Sequence, residues 1–197
     1  KNKPQIVNAN NKPGSLVGLT IKGSEILVLL DTSASMAYSK LVDIILGIDE
    51  KTGSYLKKGE KWQQAQNIGR WLIENAPQKS KIRSLGFSDK INFVDGSWQS
   101  PSDALQSFNA NLRYLGPNGG TSLAVPLEYI VNSKIKPSDI YLITDGLPTL
   151  TGESTSNNIF NKITAKIKGC GSLNKPSKLV SGECRRNLFL NAVREFQ

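Results

Sequence analysis

The chain has 197 residues, 38% of them apolar and 21% charged, and its 25 basic against 16 acidic side chains give a net charge of +9. That length suits one domain with a substantial core, and the absence of histidine excludes a Ser–His–acid triad, a Cys–His pair and any zinc site built on imidazole. No apolar run approaches the ~18 residues needed to cross a membrane, and the basic residues are scattered instead of interleaved with aromatics, which reads as a solvated surface, with no strong nucleic-acid binding expected.

Residues 1–16 are polar, with Pro4, Pro13 and Gly14, and read as an arm or linker ahead of a domain spanning 17–197. "LVGLTIKG" (16–23) predicts a short strand, which Gly23-Ser24 turns into "EILVLL" (25–30). An unbroken aliphatic run of this kind suits a strand buried on both faces of a parallel sheet. The stretch 37–60 reads as a long loop with room for a short helix around "LVDIIL". Residues 61–76 put Trp62, Ala65, Ile68, Leu72 and Ala76 on one helical face, with Pro77 as the stop. "KIRSLGFS" (81–88) predicts a further strand, and Ser88-Asp89-Lys90 turns it back into "INFV" as an antiparallel edge hairpin.

Ser100, Pro101 and Asp103 form a helix start, with Ala104, Leu105, Phe108 and Leu112 as its apolar stripe. Another helix is expected from Thr121, with Leu123, Leu127, Ile130 and Val131 facing inwards. "DIYLIT" (139–144) predicts a second buried strand, and "RRNLFLNAVREF" closes the chain as a helix with Phe189, Ala192, Val193 and Phe196 in register. Cys170 and Cys184 flank a Gly/Ser/Lys/Pro-rich loop; a disulfide closing it, which implies an oxidising compartment, and two unpaired thiols both remain open. Strands alternating with helices mean an α/β, Rossmann-like, doubly wound and mostly parallel sheet with helices on both faces.

In such sheets ligands bind beyond the carboxyl ends of the strands. Two buried strands end there in an aspartate, at Asp31 and Asp145, and "GPNGGTSL" supplies a glycine loop leading to Thr121. Asp31, Ser33, Ser35, Thr121 and Asp145 thus converge from three loops, and all five offer hard oxygen ligands of the kind Mg²⁺ prefers. Three neutral hydroxyls and two carboxylates leave such an ion underneutralised, with a residual pull on an incoming carboxylate. No general base stands nearby to activate water.

"DTSAS" (31–35), Thr121 and "TDG" (144–146) together resemble the three loops of a von Willebrand factor type A (VWA) domain with a complete metal ion-dependent adhesion site (MIDAS). The resemblance covers roughly residues 17–197, and "GLTIKG", "VLLDTSASM" and "LITDGLPT" are similar to bacterial members. It implies direct metal binding by Ser33 and Ser35. Thr121 and Asp145 would exchange direct and water-mediated roles, and Asp31 would act through water and by orienting the hydroxyls. It also implies Mg²⁺, or Mn²⁺ or Ca²⁺, as the ion, and a protein partner presenting Asp or Glu. The setting would be periplasmic or membrane-anchored outside the cytoplasm of a bacterium, with the cytoplasm as the alternative.

Other readings of the same residues are structural capping, a Mg²⁺-dependent phosphotransferase of the haloacid dehalogenase type with Asp31 as nucleophile, and an RNA- or RNP-binding VWA module. The phosphotransferase needs an acid two residues on, where Ser33 stands. The family's sheet continues past its third motif, yet no aliphatic strand pattern follows Asp145. The expectation is therefore a shortened or partial C-terminal half, with self-association through an open sheet edge or a 151–184 segment packed along it.

Overall fold

The computed structural model describes residues 19–49 and 54–146, together with helical residues 186, 187, 189, 190 and 194. Its centre is β1, Glu25–Asp31, in which Ile26, Leu27, Val28, Leu29 and Leu30 are each 2% exposed or less. Burying an aliphatic side chain of this size contributes about 1.5–3 kcal/mol, so this one strand organises both layers of the core. Period-two alternation sends Ile26, Val28 and Leu30 to one face and Leu27 and Leu29 to the other.

On either side of β1 lie two parallel neighbours, β2 (Lys81–Phe87) and, further along the chain, β4 (Asp139–Ile143). The short β3 (Ile91–Val94) pairs antiparallel with β2 and forms the edge predicted from the hairpin turn. The order of the described strands is β3-β2-β1-β4, an α/β arrangement with a mixed, mostly parallel sheet.

Helices cover both faces. The stretch 37–60 holds the short helix foreseen around "LVDIIL", α1 (Leu41–Asp49), and a further helical turn, α2 (Ser54–Lys57). The helix α3 (Glu60–Glu74) packs Trp62, Ala65, Leu72 and Ile73 on the first face, beside Ala104, Phe108 and Leu112 of α4 (Pro101–Tyr114). The N-cap of α4 is the expected one, with Ser100 Oγ accepting from the Asp103 N–H at 3.3 Å and Pro101 opening the helix. The second face is covered by Leu127 and Ile130 of α5 (Ala124–Asn132), and Phe189 packs against the same cluster.

Four expectations are corrected. Residues 19–22 of "LVGLTIKG" form no strand: the Lys22 N–H donates to the Tyr141 hydroxyl at 3.0 Å and the Lys22 carbonyl accepts from it at 3.2 Å, so a side chain satisfies the groups a ladder would pair. The helix expected from Thr121 begins at Ala124, and its buried stripe is Leu127 and Ile130, with Val131, one residue round the helix from Ile130, 59% exposed. The strand "DIYLIT" is only half-buried over most of its length, with Leu142 36% exposed. The helical pattern at 61–76 ends at Glu74, which leaves Ala76 beyond it, although still buried.

The N-terminal arm, the Cys170–Cys184 loop, the 151–184 segment, and Ala192, Val193 and Phe196 of the last helical pattern lie outside the described residues, and with them the expected open edge beyond β4. Among the described residues no helix is long and apolar enough to cross a membrane.

Candidate metal centre

The register of the sheet sets the site. Asp31 pairs with Phe87, and Leu30 with Ile143, so β1, β2 and β4 end at one level and their following loops rise from the same edge. The helices α3 and α4 cover one face, and α5, which precedes β4, covers the other. The crevice at the β1–β4 ends is therefore a switch point of an open α/β sheet.

Three loops are tied together there by backbone bonds. The Thr32 N–H donates to the Phe87 carbonyl at 2.7 Å, the Asn118 N–H to the Thr32 carbonyl at 2.8 Å, and the Ala34 N–H to the Gly119 carbonyl at 3.0 Å. Gly119 reaches that position with φ +77°, a left-handed conformation, and a Cβ on it would stand 2.7 Å from Asp89 Oδ1. Asn92 Nδ2 donates to Thr32 Oγ1 at 2.7 Å and to Ser88 Oγ at 2.9 Å, bracing the first loop against the hairpin.

Within this frame the predicted oxygens come together as a chain. Thr121 Oγ1 lies 2.9 Å from Ser33 Oγ, Ser33 Oγ 3.1 Å from Ser35 Oγ, and Ser35 Oγ 3.1 Å from Asp145 Oδ1. Asp31 stands beneath them: its Oδ1 accepts from the Ser33 N–H at 2.8 Å and its Oδ2 from the Thr144 hydroxyl at 2.7 Å. Asp31, Ser33 and Thr121 are buried, whereas Ser35 is half-buried and the Asp145 side chain is 20% exposed, so the chain runs from the core towards water. Burial pushes the Asp31 carboxyl above the ordinary aspartate range, and the nearby Asp145 charge adds to this. The Ser33 N–H, the Thr144 hydroxyl and the Ser33 hydroxyl pull it back.

Ser33 makes no helix cap. Ser33 occupies the N-cap position of a 3-10 turn at Ala34–Met36, but its side chain makes no cap bond there. The N-cap position of α5 falls to Leu123, two residues after Thr121. The Thr121 hydroxyl donates to the Ser33 hydroxyl across the two loops.

The donors are all oxygens, the type that a hard cation takes. Oxygens bound to Mg²⁺ at 2.0–2.1 Å in octahedral geometry stand about 2.9 Å apart along each edge, close to the three consecutive spacings here. Hydrogen-bonded hydroxyls have the same spacing. Among the described residues no three His, Cys, Asp or Glu side chains cluster. Any cation site here has to rest on hydroxyls together with the Asp31 and Asp145 carboxylates.

Two participants were not foreseen in the sequence. Thr144, next to Asp145, orients Asp31 through its hydroxyl. Lys61, in the first turn of α3, forms an ion pair with Asp145 Oδ2 and donates to the Ser35 backbone carbonyl at 2.6 Å. A lysine there opposes the helix dipole, which favours anions at that end; such a breach of local preference is the one signal in the sequence that marks it. The α3 start is itself pressed onto the first loop. The Lys61 N–H donates to the Ala37 carbonyl at 3.1 Å, and a Cβ on Gly59 would stand 2.0 Å from that carbonyl oxygen. Beside the site a cleft of about 220 Å³ opens between α3 and the end of β4, walled by Lys61, Gln64, Ile68 and Asp145 among others.

A comparison with known protein families finds no match for this chain, and a search of curated proteins finds none either.

Proposed function

We propose that the chain is a VWA domain whose MIDAS binds Mg²⁺ or a similar divalent ion and, through it, an acidic side chain of a protein partner. The observation that carries this reading is the continuous chain of oxygens from Thr121 through Ser33 and Ser35 to Asp145, assembled from three loops at one sheet edge. Ser33 and Ser35 would hold the ion directly, Thr121 and Asp145 would complete the protein ligands, and Asp31 would position Ser33 through its backbone N–H. The bound ion supplies a Lewis-acidic coordination position open to a carboxylate. The protein's part is to present the hydroxyls in a fixed array, with Ser35 and Asp145 towards solvent.

We read the domain as non-enzymatic. A nucleophilic aspartate must reach a substrate, and Asp31 is fully buried with both carboxylate oxygens accepting hydrogen bonds. The likeness to bacterial members favours an exported setting, which thiol titration of unreduced, denatured protein tests: a Cys170–Cys184 disulfide leaves no free thiol, and two titratable thiols point to the cytoplasm.

Mn²⁺ paramagnetic resonance tests the reading. Added Mn²⁺ is expected to bind with loss of its free-ion signal, and a peptide with a single Glu is expected to perturb the bound signal where its Gln counterpart does not. Indifference to both peptides would remove the carboxylate-capture reading. Turnover of a generic phosphate ester with Mg²⁺ would replace it with the phosphotransferase.

A further inference from the structure

Lys61 already places a positive charge on the candidate centre. Its ammonium pairs with Asp145 Oδ2 and donates to the Ser35 carbonyl, while Asp145 Oδ1 accepts from the Ser35 hydroxyl. Both oxygens of the outward carboxylate are therefore engaged, one by a donor that would itself bind the ion and one by a competing cation. The Lys61 and Asp145 side chains are 26% and 20% exposed, so the pair sits at the solvent rim of the site, where an incoming ion meets it first. A divalent ion drawing on Asp145 in this setting meets a like charge already in contact with the same carboxylate.

The position of Lys61 is built, not incidental. Gly59 allows the start of α3 to press against Ala37, and the Lys61 backbone N–H bonds to the Ala37 carbonyl. Glu60 locks the same turn from the other side: its carboxyl accepts from the Ser39 N–H at 3.1 Å. The helix start is thus fixed on the loop that carries Ser33 and Ser35, and the four-carbon arm of Lys61 reaches Asp145 from a rigid base. The arm also has somewhere to go, because the cleft of about 220 Å³ along Gln64 and Ile68 opens directly beside it.

We propose that Lys61 is a resident counter-ion of this centre, which neutralises Asp145 when no divalent ion is bound and must leave that carboxylate for the ion to take it. The lysine then sets the threshold of divalent-ion occupancy, and with it the ion concentration at which the partner-binding state appears. This rests on the reading of the site as a metal centre. The ammonium and the divalent ion are alternatives at one oxygen, and the cleft receives the arm when it is displaced.

Mn²⁺ titration of the whole chain by calorimetry, at fixed pH and ionic strength, tests this with Lys61→Gln, which keeps a donor for the Ser35 carbonyl and removes the charge. Lys61→Met serves the same purpose should the glutamine variant not fold. The expected result is Mn²⁺ affinity at least about tenfold tighter than in the unaltered chain. Thermal melts give a second readout: in chelator the variant melts below the unaltered chain, and its rise on adding Mn²⁺ is the larger. Equal or weaker Mn²⁺ affinity in a folded variant, with binding by the unaltered chain intact, overturns the role of Lys61 and leaves the metal centre standing. Absence of Mn²⁺ binding in both chains overturns the metal centre and the role of Lys61 with it.

Discussion

Two aspartates are buried among the described residues, Asp31 at the end of β1 and Asp95 just beyond β3, at 0% and 5% exposure. Burial pushes both carboxyls above the ordinary aspartate range, and in each case a backbone N–H is the foremost group pulling it back. Their surroundings differ. Asp95 accepts from the Ser84 N–H at 2.8 Å and from Asn111 Nδ2 at 3.1 Å, and its backbone carbonyl accepts from Arg83 Nε at 2.6 Å, a closed set that ties the hairpin to α4. Asp31 instead underlies a row of hydroxyls that ends at a second carboxylate near solvent. A buried acid with perturbed protonation is therefore not enough to mark a site. What separates the two is whether oxygen donors lead from the acid to a place that a ligand can reach.

Truncating Asp145 gives the largest expected effect. Asp145→Ala removes the outward end of the donor row, and Mn²⁺ affinity is expected to fall by more than the roughly 10–100-fold typical of an outer-sphere change. Calorimetry measures this, and circular dichroism is expected to show the fold retained. Thr144→Val removes the hydroxyl that orients Asp31 and is expected to weaken Mn²⁺ within that 10–100-fold range. An unchanged affinity in that variant would mean that Asp31 needs no such orientation.

At the other acid the expectation reverses. Asp95→Ala leaves the Ser84 N–H and the Asn111 amide without their acceptor, a cost of about 1–3 kcal/mol for an unsatisfied buried group, read from urea unfolding. Its Mn²⁺ affinity is expected to stay at that of the unaltered chain, and a matching loss would erase the distinction between the two regions. The smallest effect lies in pH. The folded pKa of Asp95 is raised, so its contribution to stability is fully present below the unfolded value of about 3.9 and is lost as pH rises through the folded value. Asp95→Asn should flatten that part of the stability profile, measured by unfolding across the acid range, and an unaltered slope would assign the dependence to other carboxylates.

Much of this fold was legible because local pattern and global environment agree. The unbroken run at 26–30 belongs to a strand walled in on both faces, and Ser88-Asp89-Lys90 turns β2 back into β3 as its polarity requires. Ser100 and Pro101 open α4 by capping chemistry confined to four residues. The motif residues were legible too, because strand ends in a parallel sheet share one edge. Failures arose where distant groups decide. "GLTIKG" has the composition of a strand, but its Lys22 backbone groups are met by a hydroxyl 119 residues away. Val131 is apolar and adjoins Ile130, but the docking of α5 buries Leu127 and Ile130 and leaves Val131 to solvent. A lysine in the first turn of α3 is a local oddity, but its contact with Asp145 depends on how α3 docks against Ala37, 24 residues back along the chain.

The central claim is that one divalent ion sits within the hydroxyl row, and anomalous diffraction from crystals grown with Mn²⁺ tests it most directly. The account predicts a single strong anomalous peak bonded to Ser33 Oγ and Ser35 Oγ, with Thr121 or Asp145 completing the protein ligands at metal–oxygen distances of roughly 2.0–2.3 Å. In the same map, Lys61 is expected to have left Asp145 for the cleft beside α3. A map with no peak among these oxygens at saturating Mn²⁺, and with the Lys61–Asp145 pair intact, would contradict the account and leave the row as a hydrogen-bonded element of the fold.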